Sequence, residues 1–267
     1  MDTASFLRTR RVFSLDEAVR VLDPAGGRSA VLERLKYAAR RGRIKTIARG
    51  VYATIPPDAD PAAFRPDPFL VAVALRPDAV FAYHSALELL GAAHSLWHRC
   101  DAYSSRRSQR FDLEGAQLHF LAPPRSLAQR GMDAAGLRSV DRFDRVLRVT
   151  GPERTLIEGF RRPDRVGGLA ELVESAAGFS VLDLPLLFDL LAAYQQKVLW
   201  GAVGWFLETY RETFFVDEED LMRLGEHVPK APQYLARGQR GGALARRWNV
   251  IVPDELIAGR EPDDPEH

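Results

Sequence analysis

The chain has 267 residues, of which 46% are hydrophobic and 27% are charged, and its formal net charge is +1. This composition is typical of a globular protein with one large domain or two ordinary ones, and it excludes a chain that is disordered throughout. The one cysteine, Cys100, excludes an internal disulfide and fits a reducing compartment. No apolar run follows the first charged residues, and apolar stretches such as 184–193 are too short to cross a bilayer, so we expect a cytoplasmic protein.

The charges are unevenly distributed along the chain. Residues 1–55 hold twelve Lys or Arg and five acids, which gives +7, whereas the remainder of the chain carries −6. A basic N-terminal segment on an acidic body is a charge asymmetry that favours contact with nucleic acid through the N-terminal segment.

The first predicted helix begins after Phe13. Ser14 is able to cap this helix, and Glu17, three residues later, completes a capping box. The apolar face of the helix consists of Leu15, Ala18, Val19 and Leu22. The segment 23–27 contains one proline and two glycines, which predict a turn.

A second helix is predicted from its N-cap at Ser29 to the residue before Gly42, which suits the left-handed position after a helix. Its core stripe consists of Val31, Leu32, Leu35, Ala38 and Ala39, and its outward stripe consists of Arg34, Tyr37 and Arg41, flanked by Lys36 and Arg40. Two short strands, 44–47 and 51–54, follow with Gly50 in the turn between them. The order helix, turn, helix and hairpin predicts a winged helix-turn-helix over residues 1–55.

The rest of the chain predicts a larger domain of mixed helices and strands, so we expect an α+β fold. A proline-rich linker at 56–66 precedes this domain at 67–258, and the acidic segment 259–267 predicts a disordered tail. The predicted helices are 69–75, 85–90, one from 152, 170–177, 185–193, 197–209 and 218–224. The predicted strands lie near 80–83, within 101–121, at 146–149 and at 248–252.

The basic residues of the first domain have the arrangement that double-stranded DNA requires. Clustered Lys and Arg neutralise phosphates, and a helix that enters the major groove presents side chains to base edges. The residues assigned to the groove are Arg28, Ser29, Arg34, Tyr37 and Arg41, and those assigned to phosphates are Lys36, Arg40, Arg43, Lys45 and Arg49. The structural alternative is a solvated helix face, with Arg40 and Arg41 favoured by the dipole at a helix C-terminus.

Short motifs distributed over most of the chain, up to about Pro253, resemble a known family. The runs 34–37 (RLKY), 42–45 (GRIK) and 49–53 (RGVYA) are similar to the N-terminal winged helix of AbiEi-type antitoxins of type IV toxin–antitoxin systems. The run 83–91 is similar to the family's Ser-Ala-Leu-Glu-Leu-x-Gly helix, and 152–158 with 167–171 is similar to its Pro-x-Arg-Thr-Leu block and following Gly-Gly. Leu90 departs from the family pattern, which often has a histidine before the glycine.

The resemblance implies a two-domain regulator. The winged helix would bind inverted repeats in its own promoter, which suits a homodimer on DNA, and would repress the operon. The C-terminal domain would counter a nucleotidyltransferase-like toxin, and the resemblance does not imply direct contact between the two proteins.

Four groups of residues in the larger domain have features of chemical sites. His94 and His98, four residues apart and close to Cys100, have the spacing of zinc ligands on a helix, but no glutamate follows the first histidine, so chance spacing is favoured. Asp101 with Glu114 and Gln117 resembles a nuclease carboxylate set that lacks its lysine. Ser85 is favoured as a helix cap, and Arg154 as a buried partner for an acid.

We therefore expect no catalytic residue, no cofactor and no bound metal. The alternative to a DNA-binding antitoxin is an enzyme whose nuclease-like C-terminal domain is delivered to nucleic acid by the winged helix. A protein–protein adaptor is a third interpretation, and its marker would be a large exposed apolar patch.

Overall fold

The structure is a computed structural model that describes residues 2–23, 27–236 and 238–257. The predicted tail at 259–267 and part of the predicted turn at 23–27 lie outside the described residues. The helices are α1 (Thr3–Thr9), α2 (Leu15–Leu22), α3 (Arg28–Arg40), α4 (Pro68–Leu75), α5 (His84–Leu89), α6 (Arg125–Ala128), α7 (Pro152–Arg161), α8 (Leu169–Ala177), α9 (Leu184–Tyr194), α10 (Lys197–Thr209) and α11 (Glu218–Gly225).

The strands form three sheets in the described part of the chain. They are β1 (Val12–Ser14), β2 (Ile44–Ala48), β3 (Val51–Thr54), β4 (Val80–Phe81), β5 (Arg99–Tyr103), β6 (Gln109–Leu113), β7 (Ala116–Leu121), β8 (Leu137–Arg142), β9 (Arg145–Thr150), β10 (Gln233–Tyr234), β11 (Ala243–Ala245) and β12 (Val250–Val252). The sheet orders are β1-β3-β2, β6-β7-β5-β4-β9-β8 and β10-β12-β11. Helices and mostly antiparallel strands therefore give the α+β fold that was expected.

The chain forms two compact units. The first contains the described residues up to Phe81 together with His98–Ala122 and Ser139–Arg148, and the second contains Ala82–Trp97, Pro123–Arg138 and the described residues from Val149 onward. This division differs from the predicted one, because the predicted linker at 56–66 and the segments on both sides of it belong to the first unit.

Long-range ion pairs inside the first unit explain the difference. Arg145 lies 2.6 Å from a carboxylate oxygen of Glu17 and donates to the carbonyl of Val12 at 3.0 Å. Arg10 contacts both Glu17 and Asp144, at 2.9 and 3.5 Å. Apart from the pair of Arg10 with Glu17, these contacts join residues more than a hundred positions apart, so local composition could not indicate them.

The N-terminal segment forms its own small core. Phe6, Phe13 and Leu35 are fully buried, and the ring centroids of Phe6 and Phe13 are 4.9 Å apart. Strand β1 pairs antiparallel with β3, with Val12 opposite Ala53, and β2 pairs with the other edge of β3. The sequence did not predict α1 or β1, since a helix of seven residues and a strand of three show too little periodicity.

The ends of α2 and α3 test the predicted caps. The side chain of Ser14 accepts the N–H of Glu17 at 3.1 Å, which confirms the predicted N-cap of α2. The predicted cap at Ser29 is wrong, because α3 begins at Arg28 with Gly27 as its N-cap, which places Ser29 inside the first turn. Gly42 is confirmed at the C-terminus, where φ is +67° and its N–H donates to the carbonyl of Ala39.

The six-stranded sheet contains the strands that were expected near 80–83, 101–121 and 146–149. Cys100 and Ala102 of β5 and Leu118 and Phe120 of β7 are buried on these two parallel neighbours. The sequence did not predict β8. Its apolar residues are interspersed with charged ones, and every residue of the strand is exposed or half-buried. A buried strand therefore has a clearer hydrophobic pattern in the sequence than a strand at the edge of the sheet.

The second unit is mainly helical, and the predicted helices at 170–177, 185–193, 197–209 and 218–224 correspond to α8 to α11. Trp200, Trp205 and Phe206 of α10 are buried, as expected for core residues. The predicted strand at 248–252 is shorter than expected: β12 begins at Val250, because Asn249 has a left-handed backbone with φ +48°. None of the helices within the described ranges combines the length and the apolarity needed to cross a membrane.

Helix α10 packs closely against a buried tryptophan, and this contact predicts a strong effect of substitution. A Cβ on Gly204 would overlap Cζ3 and Cε3 of the Trp248 ring, which is fully buried. We expect Gly204→Ala to lower the free energy of unfolding by about 3 kcal/mol through overpacking, measured by urea denaturation. Gly225→Ala is the matched control, since an added Cβ there meets nothing within 4 Å. Equal effects of the two substitutions would contradict the contact.

Candidate nucleic-acid interface

Helix α3 presents one face to the core and the opposite face to solvent. Val31 and Leu35 are fully buried and Ala38 is 3% exposed, so residues at i, i+4 and i+7 form the inner stripe. Leu32 and Ala39 are partly buried against the same core, as predicted. The inner stripe fixes the rotation of the helix about its axis and determines which basic residues face outward.

The outward face of α3 contains Arg34 and Tyr37 of the predicted stripe, and Arg41, also exposed, is the C-cap residue that directly follows the helix. The Tyr37 side chain is 54% exposed, and its hydroxyl accepts a hydrogen bond from Nε of Arg41 at 3.1 Å. The Arg41 guanidinium lies 5.5 Å from the centroid of the Tyr37 ring. Tyr37 therefore orients Arg41, which lowers the side-chain entropy that Arg41 would lose on binding.

Three of the ten candidate residues have their positive charge compensated by an ion pair with an acidic residue. Arg28 pairs with Asp16, Lys36 pairs with Glu33 at 2.7 Å, and Lys45 pairs with Glu114 at 3.0 Å. The first two pairs are largely exposed, and exposed pairs contribute only about 0–1 kcal/mol, so phosphates are able to displace the acids.

Lys45 differs from the other candidates because it is held on two sides. Its Nζ donates to the carbonyl of Phe64 at 3.4 Å as well as to Glu114, which also pairs with Arg65 at 2.7 Å. The hydrogen bond from Lys45 and the charge of Arg65 hold the pKa of the Glu114 carboxyl below its usual value. The predicted phosphate contact at Lys45 therefore competes with an existing ion pair.

Five arginines of the candidate set have no acid within ion-pair distance among the described residues. These are Arg34, Arg40, Arg41, Arg43 and Arg49, and all five are exposed. Arg49 lies in the turn between β2 and β3, where Gly50 has φ +77°. The exposed face of α3 and the tip of the hairpin therefore carry charge that is available to an anionic partner. Ser29 is exposed near the N-terminus of α3.

Sequence reasoning missed two basic residues near this surface. Arg8 and Arg11 were counted in the net charge of residues 1–55 but were not predicted as contact residues. Both line a cavity together with Arg41 and Arg43. They lie at the end of α1 and before β1, the two elements that the sequence did not reveal.

The zinc interpretation of the histidines lacks its geometric basis, because 92–98 is not helical. His94 is exposed and lies 3.2 Å from a carboxylate oxygen of Glu174. Throughout 2–23, 27–236 and 238–257, no group of three or more His, Cys, Asp or Glu has the geometry to hold a metal ion.

The carboxylates of the nuclease interpretation are each held by basic partners. Asp101 is 1% exposed, with Nε of Arg99 at 3.0 Å and Nδ1 of His119 at 3.4 Å. Glu114 lies in the turn between β6 and β7 and forms an ion pair with Lys45. The fold thus brings a lysine, Lys45, to the second carboxylate of the nuclease interpretation. This lysine neutralises Glu114 in an ion pair.

Ser85 and Arg154 have structural surroundings. Ser85 does not cap α5, because the helix begins one residue earlier with Tyr83 as its N-cap, so that prediction is wrong. Arg154 is 2% exposed and pairs with Glu158 at 2.8 Å, and its Nη1 donates to the carbonyl of Asp133 at 2.9 Å. The interpretation of Arg154 as a buried partner for an acid is confirmed.

Tyr194 completes this cluster and predicts a dependence of stability on pH. Its hydroxyl donates to Glu158 at 2.5 Å, and burial, followed by the charge of Glu158, raises the pKa of Tyr194 well above its usual value. In the unfolded chain a tyrosine ionises at about pH 10, so the stability is complete below that pH and falls as pH rises above it. Above pH 10, the free energy of unfolding of the wild type should fall with each pH unit. In Tyr194→Phe this slope should be shallower by about 1.4 kcal/mol per pH unit, because phenylalanine cannot ionise.

Urea denaturation at a series of alkaline pH values measures this slope. Tyr234→Phe is the control, because Tyr234 is 49% exposed. If the slope were the same in the wild type and in Tyr194→Phe, ionisation of Tyr194 would not be linked to folding.

No protein-family model matches the chain, and no curated protein matches it. Among solved structures, the fold is similar to that of the RV2827C protein from Mycobacterium tuberculosis, determined by crystallography. The two chains are 17% identical, the similarity covers 96% of this chain and 93% of the other, and the TM-score is 0.62. Similarity at this identity concerns the fold, so this chain shares its α+β architecture with the mycobacterial protein over nearly the whole length.

Proposed function

We propose that the protein is a DNA-binding transcriptional regulator whose N-terminal segment is a winged helix-turn-helix. The proposal is supported by the order α1, β1, α2, α3, β2, β3 and by the sheet order β1-β3-β2. In a winged helix, the second helix of the helix-turn-helix enters the major groove and the hairpin contacts the backbone beside it. Helix α3 and the β2–β3 hairpin occupy these two positions in the chain.

The single observation that carries the proposal is the exposed face of α3. Its rotation is fixed by Val31, Leu35 and Ala38, the face opposite to them presents Arg34, and the exposed Arg41 is the C-cap residue directly after the helix. Arginine pairs bidentately with guanine in the major groove, and both arginines are exposed for such a contact.

The biological role that we propose is repression of the protein's own operon as the antitoxin of a type IV system. This part depends on the resemblance of the motifs at 34–53, 83–91 and 152–171 to AbiEi-type antitoxins. The partner gene would encode a nucleotidyltransferase-like toxin, and the regulated site would be inverted repeats upstream of the pair.

A titration of the chain's own upstream DNA tests the proposal. If about five phosphates are neutralised, the logarithm of the binding constant should fall with the logarithm of salt concentration with a slope of about −4 to −5. Fluorescence anisotropy with a labelled duplex at a series of salt concentrations measures the slope. Absence of binding at low salt would sink the proposal.

A further inference from the structure

A cavity of about 1010 Å³ lies in the first unit, beside the C-terminal end of α3. Its walls come from the end of α1, Arg11 and the start of β1, from 41–43, from the proline-rich segment 54–68 and from Phe143. All of these belong to the same compact unit. The volume lies at the upper end of the range of roughly 300–1,000 Å³ that small-molecule sites occupy.

The lining of the cavity carries uncompensated positive charge. Arg8, Arg11, Arg41 and Arg43 line it, and none of the four has an acid within ion-pair distance in the described part of the chain. A fifth arginine of the lining, Arg65, is paired with Glu114. Four arginines around one cavity repel one another, so an anion would be bound with favourable electrostatic energy.

The single acid of the lining does not offset these charges. One carboxylate oxygen of Asp67 lies 2.8 Å from Nε of Arg142. The other oxygen accepts the backbone N–H groups of Phe69 and Leu70, at 2.9 and 3.1 Å, as the N-cap of α4. Asp67 is therefore fully engaged outside the group of four arginines.

An aromatic ring beside these arginines indicates a flat ligand. Phe143 is 58% exposed, and its backbone has φ +55°, a conformation that a phenylalanine rarely adopts. The Arg11 guanidinium lies 3.6 Å from the centroid of the Phe143 ring. Arg11 covers one face of the ring, but the 58% exposure leaves ring surface on which a nucleobase is able to stack, and guanidinium groups pair with phosphate.

We propose that this cavity binds a nucleoside phosphate. The arginines Arg8, Arg11, Arg41 and Arg43 hold the phosphates, and Phe143 stacks against the base. Apolar walls at Ile55 and Phe64 exclude water from the rest of the ligand.

Equilibrium dialysis of the full chain with ATP, in parallel with pyrophosphate and adenosine, tests the proposal. We expect saturable ATP binding, with pyrophosphate and adenosine at least tenfold weaker. Loss of one charged hydrogen bond corresponds to about a tenfold change, so Arg8→Gln and Arg11→Gln should each weaken ATP binding about tenfold. Phe143→Ala should weaken ATP binding and leave pyrophosphate binding unchanged.

Arg110→Gln is the matched control, because Arg110 is an exposed arginine of the same unit that does not line the cavity. The proposal is overturned if no ATP binding is detected up to about 1 mM. It is also overturned if Arg110→Gln reduces binding as much as Arg11→Gln, which would indicate general attraction to a basic surface. Equal affinity for pyrophosphate and ATP would overturn the assignment to a nucleotide.

The position of the cavity connects it to the proposed DNA contacts. Arg41 and Arg43 belong to both sets, so a bound nucleotide should compete with DNA, a consequence that rests on the proposed function. We expect ATP to weaken DNA binding of the wild type and to have no effect on the double variant with Arg8→Gln and Arg11→Gln. If the protein does not bind DNA, the proposed function is wrong, and the dialysis experiment still decides whether the cavity binds a nucleotide. If the protein binds DNA equally well with and without ATP, only the proposed competition between ATP and DNA is wrong.

Discussion

Replacement of Arg34 or Arg41 by alanine is expected to abolish most of the preference for the operator while retaining binding to unrelated DNA. Arg34 lies on the outward face of α3 and Arg41 is the exposed C-cap residue of this helix, and neither has an acidic partner among the described residues. A bidentate contact to a base contributes about 1–3 kcal/mol of discrimination, which corresponds to roughly 5- to 150-fold in affinity. The two substitutions together should make the affinities for operator and scrambled duplex nearly equal.

Fluorescence anisotropy on the upstream duplex and on a scrambled duplex of equal length measures this difference at one salt concentration. Arg110→Ala is the control for loss of one exposed positive charge outside α3. Arg49→Ala should weaken binding to both duplexes alike and make the salt slope shallower by about one unit, if the arginine at the hairpin tip contacts phosphate as proposed. Equal losses on both duplexes for Arg34→Ala would show that the helix face does not contact base edges.

Lys45→Ala should have a smaller effect than Arg49→Ala. Lys45 is paired with Glu114 and also contacts a backbone carbonyl, so DNA must displace these partners before it gains a contact. The structure thus divides residues that the sequence grouped together as phosphate contacts.

The second large effect is expected at Arg154, in the core of the second unit. Arg154→Ala would remove the cationic partner of Glu158, whose carboxylate is fully buried, and the hydrogen bonds that Arg154 donates to the carbonyls of Asp133 and Ala135. Removal of one partner from a buried pair typically costs about 3–5 kcal/mol. We expect this loss in the free energy of unfolding, measured by urea denaturation monitored by tryptophan fluorescence.

Arg162→Ala is the control for Arg154→Ala. Arg162 also pairs with an acid, Asp164 at 2.8 Å, but both side chains are exposed. An exposed pair contributes about 0–1 kcal/mol, so the control should change stability little. If Arg154→Ala were as mild as the control, the pair with Glu158 would not be a determinant of stability.

The nuclease interpretation illustrates how a sequence pattern loses its chemical meaning in the fold. Asp101 and Glu114 are close enough in sequence to suggest a shared site, but each is neutralised by basic partners. In the same way, the spacing of His94 and His98 has meaning for zinc only on a helix, and the segment is not helical.

The sequence by itself determined the local structure of the N-terminal segment. Periodicity located α2 and α3, Ser14 and Gly42 marked helix ends, and Gly50 marked the turn of the hairpin, because these features depend on contacts only a few residues apart. It also determined which face of α3 points outward, since burial of Val31 and Leu35 follows from their spacing.

Only the tertiary structure decided which of these charged residues remain available and how the chain divides into units. The pairs of Arg145 with Glu17 and of Lys45 with Glu114 join distant segments, and no local pattern encodes them. The same holds for the arginine-lined cavity, whose lining residues come from four separate stretches of the chain. Electrostatic and packing interactions act through space, so they are fixed only when folding brings these segments together.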